Sequence, residues 1–373
     1  MKIIHTSDWH LGKRVNEFSM LEEQKEILWD ILALAVREQP ELLIIAGDIY
    51  DKSTPPTEAV ALFDSFLTAI ARAKIPVAII SGNHDSPERI AFGTELMREN
   101  GVYISPVYNG ALLHFTLKDS FGEAEVYLLP FLRPSAVRKF ADCEISTYNS
   151  AVQWAVSQAK IDKRRRNILV AHQFVMGAVP SESEEINVGG LDGVSEEIFA
   201  DFDYVALGHI HRSQGLKSEK IRYSGTPLKY SFSEALHEKS VTLVELREKG
   251  DITITKEKLT PKRDMREIKG SFAKLTDPAI CTPTKDYLHI TLTDEEEIVD
   301  AVEKLRPFYE NILRLDYDNA RTRALGIVAP PAENKTPSML FREFYAEQNG
   351  TELSEEQSAY VNACIRELWE GEE

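Results

Sequence analysis

The chain has 373 residues, of which 43% are hydrophobic and 28% charged, and its formal net charge is −17. That balance excludes an intrinsically disordered chain and predicts a folded protein of two or three domains with ample cores. The acidic charge argues against a protein that coats nucleic acid by bulk attraction. A polyanionic substrate would therefore require metal ions, local basic loops or a basic partner.

Three cysteines, Cys143, Cys281 and Cys364, lie far apart in the sequence. Their spacing supports neither a disulfide framework nor a cysteine-based zinc site, and it predicts a reducing, cytoplasmic setting. The residues after Met1 lack the long apolar segment of a signal peptide. No run approaches the roughly 20 apolar residues that span a bilayer, so no membrane span is expected.

Strands and helices alternate at the start of the chain. A short apolar strand ends before Asp8, and further elements are predicted at 21–37 (helix), 42–46 (strand), 57–73 (helix, capped by Thr57) and 75–80 (strand). This order implies right-handed crossovers and a largely parallel sheet. Polar residues that follow each strand would then gather at one edge of that sheet.

The stretch after the first strand carries a carboxylate and an imidazole, Asp8 and His10, two residues apart. On extended backbone, side chains two residues apart point the same way, so both are expected to reach one ion. An isolated Asp-x-His pair is a weak signal. It gains force because later strand ends carry matching groups.

The middle of the chain predicts more strands, separated by turns, and one helix. The strands are expected at 102–106, 112–117, 126–130, 168–171, 204–207, 240–246 and 252–258, and the helix at 150–163. The basic run at 163–166 is interpreted as a solvated helix end, with DNA contact as the alternative.

Composition changes after Pro261. A strand at 286–293, a helix at 295–306 and a strand at 312–317 predict a small α/β domain, and 329–332 predicts a linker. The domains are accordingly expected at 1–262, 268–326 and 333–373. The last region predicts short helices that present an apolar face to a partner's groove or to the chain's own catalytic domain, through Leu340, Phe341, Phe344, Leu368 and Trp369.

Seven residues at strand ends are candidate metal ligands: Asp8, His10, Asp48, Asn83, His172, His209 and His211. They offer oxygen and nitrogen but no thiolate, which suits Mn²⁺, Fe²⁺ or similar ions better than a structural zinc site. Seven groups are too many for one ion. Two ions about 3.5–4 Å apart that share one carboxylate would use them all and would clamp a phosphoryl group.

The order of these motifs resembles the calcineurin-like metallophosphoesterases: Asp8-x-His10, Gly47-Asp48-x-x-Asp51, Gly82-Asn83-His84-Asp85, His172 and Gly208-His209-x-His211. The resemblance implies a β-sandwich flanked by helices, with a small α/β capping domain and a C-terminal helical tail. Longer phrases, including Pro130–Pro134 and Tyr223–Pro227, resemble the bacterial nuclease subunits of this family, whose partner is an ABC-type ATPase with a long coiled coil.

The resemblance also implies roles for individual residues. One ion, usually Mn²⁺, would be held by Asp8, His10, Asp48 and His211, and the other by Asp48, Asn83, His172 and His209. His84 would assist the leaving oxygen, and Asp51 would orient and charge-stabilise its imidazole. Lys13 and Arg14, just beyond the first ligand pair, are expected to contact DNA phosphates, with two solvated turn cations as the alternative.

The implied function is a two-metal DNA nuclease that acts in DNA repair, recombination and replication. It would be an exonuclease on double-stranded ends and an endonuclease on single strands and hairpins, as a homodimer within a heterotetramer. Two alternatives stay open: a phosphatase or phosphodiesterase on nucleotides or phosphoproteins, and a non-catalytic scaffold for DNA ends. The complete ligand set argues against the scaffold, and the additional domains argue against a simple phosphatase.

Overall fold

The computed structural model of the chain describes residues 1–181, 183–184, 193–279, 281–320, 338, 341–342, 344–346 and 351–370, excepting the side chains of 355, 363 and 366–370. Its internal contacts divide the chain into two compact units. The first comprises Met1–Glu185 and Gly193–Asn319, and the second includes the chain from Ala320 onward.

The described strands are β1 (Lys2–Thr6), β2 (Arg14–Val15), β3 (Phe18–Ser19), β4 (Leu42–Ala46), β5 (Val77–Ile80), β6 (Val102–Ile104), β7 (Leu113–Asp119), β8 (Gly122–Leu129), β9 (Arg166–His172), β10 (Tyr204–Gly208), β11 (Gln214–Gly215), β12 (Ile221–Tyr223), β13 (Ser240–Leu246), β14 (Ile252–Lys258), β15 (Met265–Gly270), β16 (Thr284–Leu292) and β17 (Tyr309–Tyr317). The described helices are α1 (Leu21–Glu38), α2 (Thr57–Arg72), α3 (Pro87–Ile90), α4 (Thr94–Arg98), α5 (Pro134–Arg138), α6 (Tyr148–Ser157), α7 (Phe272–Leu275), α8 (Ala301–Leu305) and α9 (Glu355–Glu370). Two short 3₁₀ helices cover Glu196–Phe199 and Phe232–Glu234.

Two six-stranded sheets dominate the first unit. Their strand orders are β14-β13-β1-β4-β5-β6 and β11-β12-β10-β9-β8-β7. In the first sheet β1, β4, β5 and β6 run parallel, and in the second β8, β9, β10 and β12 do. Register aligns the strand ends, with Ala46 opposite Ile80 and Gly208 opposite His172. The residues that follow these strands therefore lie at common edges of the two sheets.

The core lies between the two sheets, where Ile3, Ile44 and Ile80 of the first share one buried cluster with Val126 and Val170 of the second. Burial of such side chains contributes about 1.5–3 kcal/mol each and makes this face-to-face packing stable. A second cluster on the other face of the first sheet includes the apolar sides of α1 and α2. The predicted β-sandwich flanked by helices is confirmed.

The helix boundaries correct two predictions. Thr57 is the first residue of α2 and caps nothing, because the capping position is Pro56, whose backbone is extended and which has no side-chain acceptor. The helix predicted at 150–163 spans only Tyr148–Ser157. The basic run therefore enters β9, where Arg166 is buried and pairs with Asp119 at 2.6 Å, so this part of the run is not a solvated helix end.

A third sheet, β15-β16-β17, is all parallel and has its own core of Leu288, Ile290, Leu292 and Leu305. The sequence predicted β16 and β17 but not β15 or α7. The helix expected at 295–306 is shorter because Asp300 takes a left-handed conformation just before α8. Met265 and Tyr287 join the cluster under α1 and α2, which ties this sheet to the first of the two large sheets. The three-domain division stays a prediction.

In the second unit, Phe341 and Phe344 are 41% and 59% exposed. The predicted linker at 329–332, Leu340 and the side chains of Leu368 and Trp369 lie outside the described residues. Among the described helices, none has the length and apolar character that crossing a bilayer would demand.

Candidate metal centre

The seven predicted ligands converge where the carboxyl ends of the parallel strands of both sheets meet. In the first sheet, Asp8 and His10 follow β1, Asp48 follows β4 and Asn83 follows β5. In the second sheet, His172 is the last residue of β9, and β10 is followed by His209 and His211. Asn83 is half-buried, and the other six are at least nine-tenths buried. Residues up to 203 positions apart in the sequence are thereby brought to one place by strand register.

The backbone at this place differs from the expectation for Asp8-x-His10. Asp8, His10 and Asp48 have φ of 53°, 46° and 48°, in the left-handed region, and are not extended. The amides of Asp8 and His10 donate to the carbonyls of Gly47 and Asp48 at 3.0 and 2.9 Å, which stabilises the turn. The two side chains still reach one cluster, but through a strained loop of a kind that concentrates at functional sites.

Two glycines leave space for the ligands. A Cβ on Gly82 would lie 2.1 Å from Asp48 Oδ1, and one on Gly208 would lie 2.0 Å from the Ala46 carbonyl oxygen. Both distances are far below van der Waals contact, so any side chain at either position would displace the loops. The glycines of the sequence motifs are required by packing at the centre.

One half of the centre is formed by Asp8, His10 and His211, whose ligand atoms lie within 4.8 Å of one another. The Nε2 atoms of His10 and His211 face each other at 3.1 Å. Asp48 Oδ2 lies 3.7 Å from His10 Nε2. These nitrogen and oxygen atoms point at a common position.

The other half is formed by Asn83, His172 and His209. Asn83 Oδ1 lies 3.0 Å from His172 Nε2 and 2.9 Å from His209 Nδ1. Asp48 Oδ2 is 3.3 Å from His172 Nε2, so this oxygen faces both halves of the centre. His172 Nδ1 donates to the carbonyl of Ala46 at 2.8 Å, which directs Nε2 toward Asn83 and Asp48.

Burial dominates the electrostatics of these groups. Burial, together with the neighbouring Asp48 carboxylate, raises the pKa of Asp8 to about 6. Burial lowers the pKa of His209 to about 3. For His172, burial lowers the pKa, but Asp48 outweighs it and raises the value to about 9. The centre thus packs carboxylates against imidazoles at a place where burial disfavours the charge of each group.

This donor set fits divalent metal ions. Ligand imidazoles must be neutral. Burial lowers the pKa of His10 well below its usual range and that of His209 to about 3, while a bound cation would displace the proton that Asp48 favours on His172. Oxygen and nitrogen donors without thiolate favour ions of the Mn²⁺ and Fe²⁺ type.

His84 lies beside the predicted ligands and is half-buried, with its ring 4.9 Å from that of His10. Its amide donates to Asp48 Oδ1 at 2.9 Å. The prediction that Asp51 orients this imidazole needs correction, because the contact to His84 Nδ1 comes from the backbone carbonyl of Asp51, at 3.0 Å. The Asp51 carboxylate instead pairs with Lys13 at 2.7 Å.

The predicted DNA contacts Lys13 and Arg14 lie beyond the ligands. Lys13 is held by Asp51 and sits over the ring of Tyr230, 5.8 Å from its centroid. Arg14 is exposed on β2, and its guanidinium donates to the carbonyl of Glu17. Both cationic groups are thus engaged by neighbours other than the predicted ligands.

Sequence reasoning assigned no role to Asp85, although it ends the Gly82–Asp85 motif. Its buried carboxylate accepts from the amides of Ile49, Tyr50 and Gly82 at 3.1, 2.9 and 2.9 Å. It therefore clamps the loop after β4 to the loop after β5, which carry Asp48 and Asn83. The sequence signal that could have indicated this role is an acidic residue at the end of a ligand motif that is not itself needed as a ligand.

Asp85→Ala is expected to lower the free energy of unfolding by about 3 kcal/mol or more, because three buried N–H groups would lose their acceptor. Chemical denaturation of metal-free protein measures this change. Asp64→Ala, at an exposed position on α2, is the matched control. Equal stability of the two variants would contradict the clamp.

The chain is similar to known proteins in sequence and in fold. The family model described as calcineurin-like phosphoesterase matches residues 1–213, and the model described as type 5 capsule protein repressor C-terminal domain matches residues 261–349. The SbcD subunit of the nuclease SbcCD from Staphylococcus epidermidis is 36% identical over 84% of this chain and 85% of its own. The same-named protein from Staphylococcus saprophyticus is 32% identical over 99% of both chains. A solved dimetal phosphatase from Danio rerio, 10% identical, covers 70% of this chain and 97% of its own with a TM-score of 0.44.

Proposed function

The chain belongs to the SbcD family of calcineurin-like phosphoesterases, and on that premise we propose that it is a two-metal DNA nuclease. Its activities would be exonuclease on double-stranded ends and endonuclease on single strands and hairpins, in DNA repair and recombination. The observation that carries the proposal is the position of Asp48 Oδ2, which faces His10 and His172 at 3.7 and 3.3 Å. Two divalent ions could share this oxygen.

Asp8, His10, Asp48 and His211 would hold one ion, and Asp48, Asn83, His172 and His209 the other. We propose Mn²⁺, which the motif resemblance implies and which carboxylate, amide and imidazole donors suit, as they suit Fe²⁺. When bound, the pair of ions would supply Lewis-acid polarisation of a phosphoryl group and orient a diester.

His84 is proposed to assist the leaving oxygen. Its Nδ1–H donates to the carbonyl of Asp51, which directs Nε2 away from that loop. With Nδ1 already protonated, a proton on Nε2 makes the ring an imidazolium, and this is the proton that would pass to the leaving oxygen. The Nδ1–H group keeps its hydrogen bond to the Asp51 carbonyl before and after that transfer. The half-buried position leaves the ring accessible to a substrate.

The relatives are named as one subunit of a nuclease complex, SbcCD. The partner proposed for this chain is therefore the other kind of subunit, which the motif resemblance implies is a coiled-coil ABC-type ATPase. A homodimer of the nuclease subunit within a heterotetramer is part of the same proposal. The ATPase would supply basic surface for DNA to a chain whose own net charge is −17.

The decisive experiment is incubation of purified protein and Mn²⁺ with single-stranded DNA, hairpin DNA or a phosphomonoester. Cleavage of either DNA, abolished by EDTA, is the expected result. Hydrolysis of the phosphomonoester without DNA cleavage would favour the phosphatase alternative. DNA binding without any hydrolysis would favour the scaffold.

Replacing Lys13 and Arg14 by alanine together is expected to weaken binding of single-stranded DNA. The slope of log K against the logarithm of salt concentration should also become less steep by about 1.4, because each phosphate contact on a single strand contributes about 0.7 to that slope. The matched control removes Lys163 and Arg164, which are exposed and pair locally with Asp201 and Asp162. Anisotropy titrations across salt concentrations measure both slopes. An unchanged slope after replacement of Lys13 and Arg14 would mean that the two side chains do not contact DNA phosphates and are solvated turn residues.

A further inference from the structure

His211 is held at three polar atoms by side chains distant in the sequence. Its Nδ1 lies 2.8 Å from Ser183 Oγ, and its amide donates to Glu184 Oε1 at 2.6 Å. Its carbonyl accepts from Lys239 Nζ at 3.0 Å. These contacts fix the position of the residue independently of any ion.

The direction of the hydrogen bonds fixes the tautomer of His211. Ser183 Oγ has one proton, and the charged Glu234 Oε1 at 2.7 Å is a stronger acceptor for it than the neutral Ser181 Oγ at 2.9 Å, so the hydroxyl accepts from His211 Nδ1–H. The proton on Nδ1 leaves Nε2 with a free lone pair. That Nε2 is the atom that faces His10 Nε2 in the cluster with Asp8.

Glu234 is fully buried, and its two oxygens have different partners. Oε2 pairs with the buried ammonium of Lys239, while Oε1 is left to Ser183 and lies 3.6 Å from His211 Nδ1. The carboxylate is therefore charged and aimed at the histidine through one hydroxyl group.

We propose that Ser183 and Glu234 are positioning residues of the metal centre, which hold His211 for the ion that it would share with Asp8 and His10. Carboxylates that accept from the second nitrogen of a ligand histidine fix its tautomer and raise its basicity, and their loss typically costs about 10- to 100-fold in metal affinity. The inference rests on the proposed two-metal function. It adds two residues that would not themselves bind the ion: Ser183 in the loop after β9 and Glu234 in the segment before β13.

The test is a Mn²⁺ titration of metal-free Ser183→Ala by calorimetry and EPR. The wild-type chain is expected to bind two ions, and the variant to bind one of them about 10- to 100-fold more weakly while the other keeps its affinity. Ser183→Thr retains the hydroxyl and should restore both affinities. The melting temperature of the metal-free variant should fall by only a few degrees, because two neutral hydrogen bonds of the hydroxyl are lost while Glu234 keeps its ion pair with Lys239.

Glu234→Gln should lower the affinity for the same ion. Glu238→Gln, which changes an 80% exposed carboxylate four residues away, should leave both affinities unchanged. With a small phosphodiester, kcat of Ser183→Ala should fall at limiting Mn²⁺ and recover in excess, with KM unchanged. Wild-type affinity for both ions in Ser183→Ala would overturn the inference, whatever the folding of the Glu234 variant. Fewer than two ions in the wild-type chain would instead overturn the two-metal proposal itself.

Discussion

Asp48→Asn is expected to abolish binding of both metal ions and to lower DNA cleavage by at least about 10³-fold. Asp48 Oδ2 faces His10 and His172, so its charge serves both halves of the centre. Losing several kcal/mol of interaction with cations corresponds to that factor, since each 1.36 kcal/mol changes a rate about tenfold. Metal content and cleavage should be measured on the same preparation.

Loss of metal must be separated from misfolding in this variant. The substitution removes the charge that pairs with buried His172 at 3.3 Å, although the new amide side chain would keep an oxygen for the backbone N–H of His84. The metal-free variant is therefore expected to melt below the wild type, and a cooperative transition above the assay temperature checks that it is folded during the measurements. Two bound ions and normal cleavage would refute the shared-oxygen assignment.

His84→Gln provides the matched comparison within the same site. It should leave both ions bound and lower the rate by about 10²- to 10⁴-fold, the usual range for loss of a general acid. The two variants thus separate metal binding from proton transfer. Loss of metal in the His84 variant would place this residue among the ligands.

The meeting point of the candidate ligands could be predicted because it depends on strand register, which follows from the pattern of apolar runs in the sequence. Apolar runs such as 42–46 fix a buried parallel strand, and the residue after such a strand lies at the sheet edge. The places of Asp48 and His172 therefore followed from the strands alone. The left-handed conformations of Asp8, His10 and Asp48 did not, because they depend on hydrogen bonds between the loops after β1 and β4.

Contacts made by side chains on loops and irregular segments were not predicted. Glu234 and Ser183 are separated by 51 positions and meet only once the strands are assembled. The family resemblance implies that Asp51 orients His84, but motif similarity does not indicate that the Asp51 carboxylate pairs with Lys13, a full charge at 2.7 Å. β15 escaped prediction because its residues are mostly polar, with only Met265 buried, so its pairing comes from β16.

Deleting the chain after Pro331 is expected to abolish co-purification with the proposed ATPase partner and to retain Mn²⁺-dependent cleavage of single-stranded DNA. Every proposed ligand lies between Asp8 and His211, in the first unit. That unit holds its own buried clusters, between its sheets and around Leu288. Pull-down and nuclease assays on one preparation measure the two functions.

The partner-binding assignment rests on exposed aromatic side chains in the second unit. Phe341 and Phe344 are 41% and 59% exposed, which suits an apolar face that a partner's groove would cover. Replacing both by alanine should weaken co-purification at least about tenfold, because each buried phenylalanine contributes about 1.5–3 kcal/mol. Phe92→Ala, at an 81% exposed position of the first unit, is the matched control. A shortened chain that melts far below the full chain and still binds the ATPase would assign the C-terminal helices to the catalytic core instead.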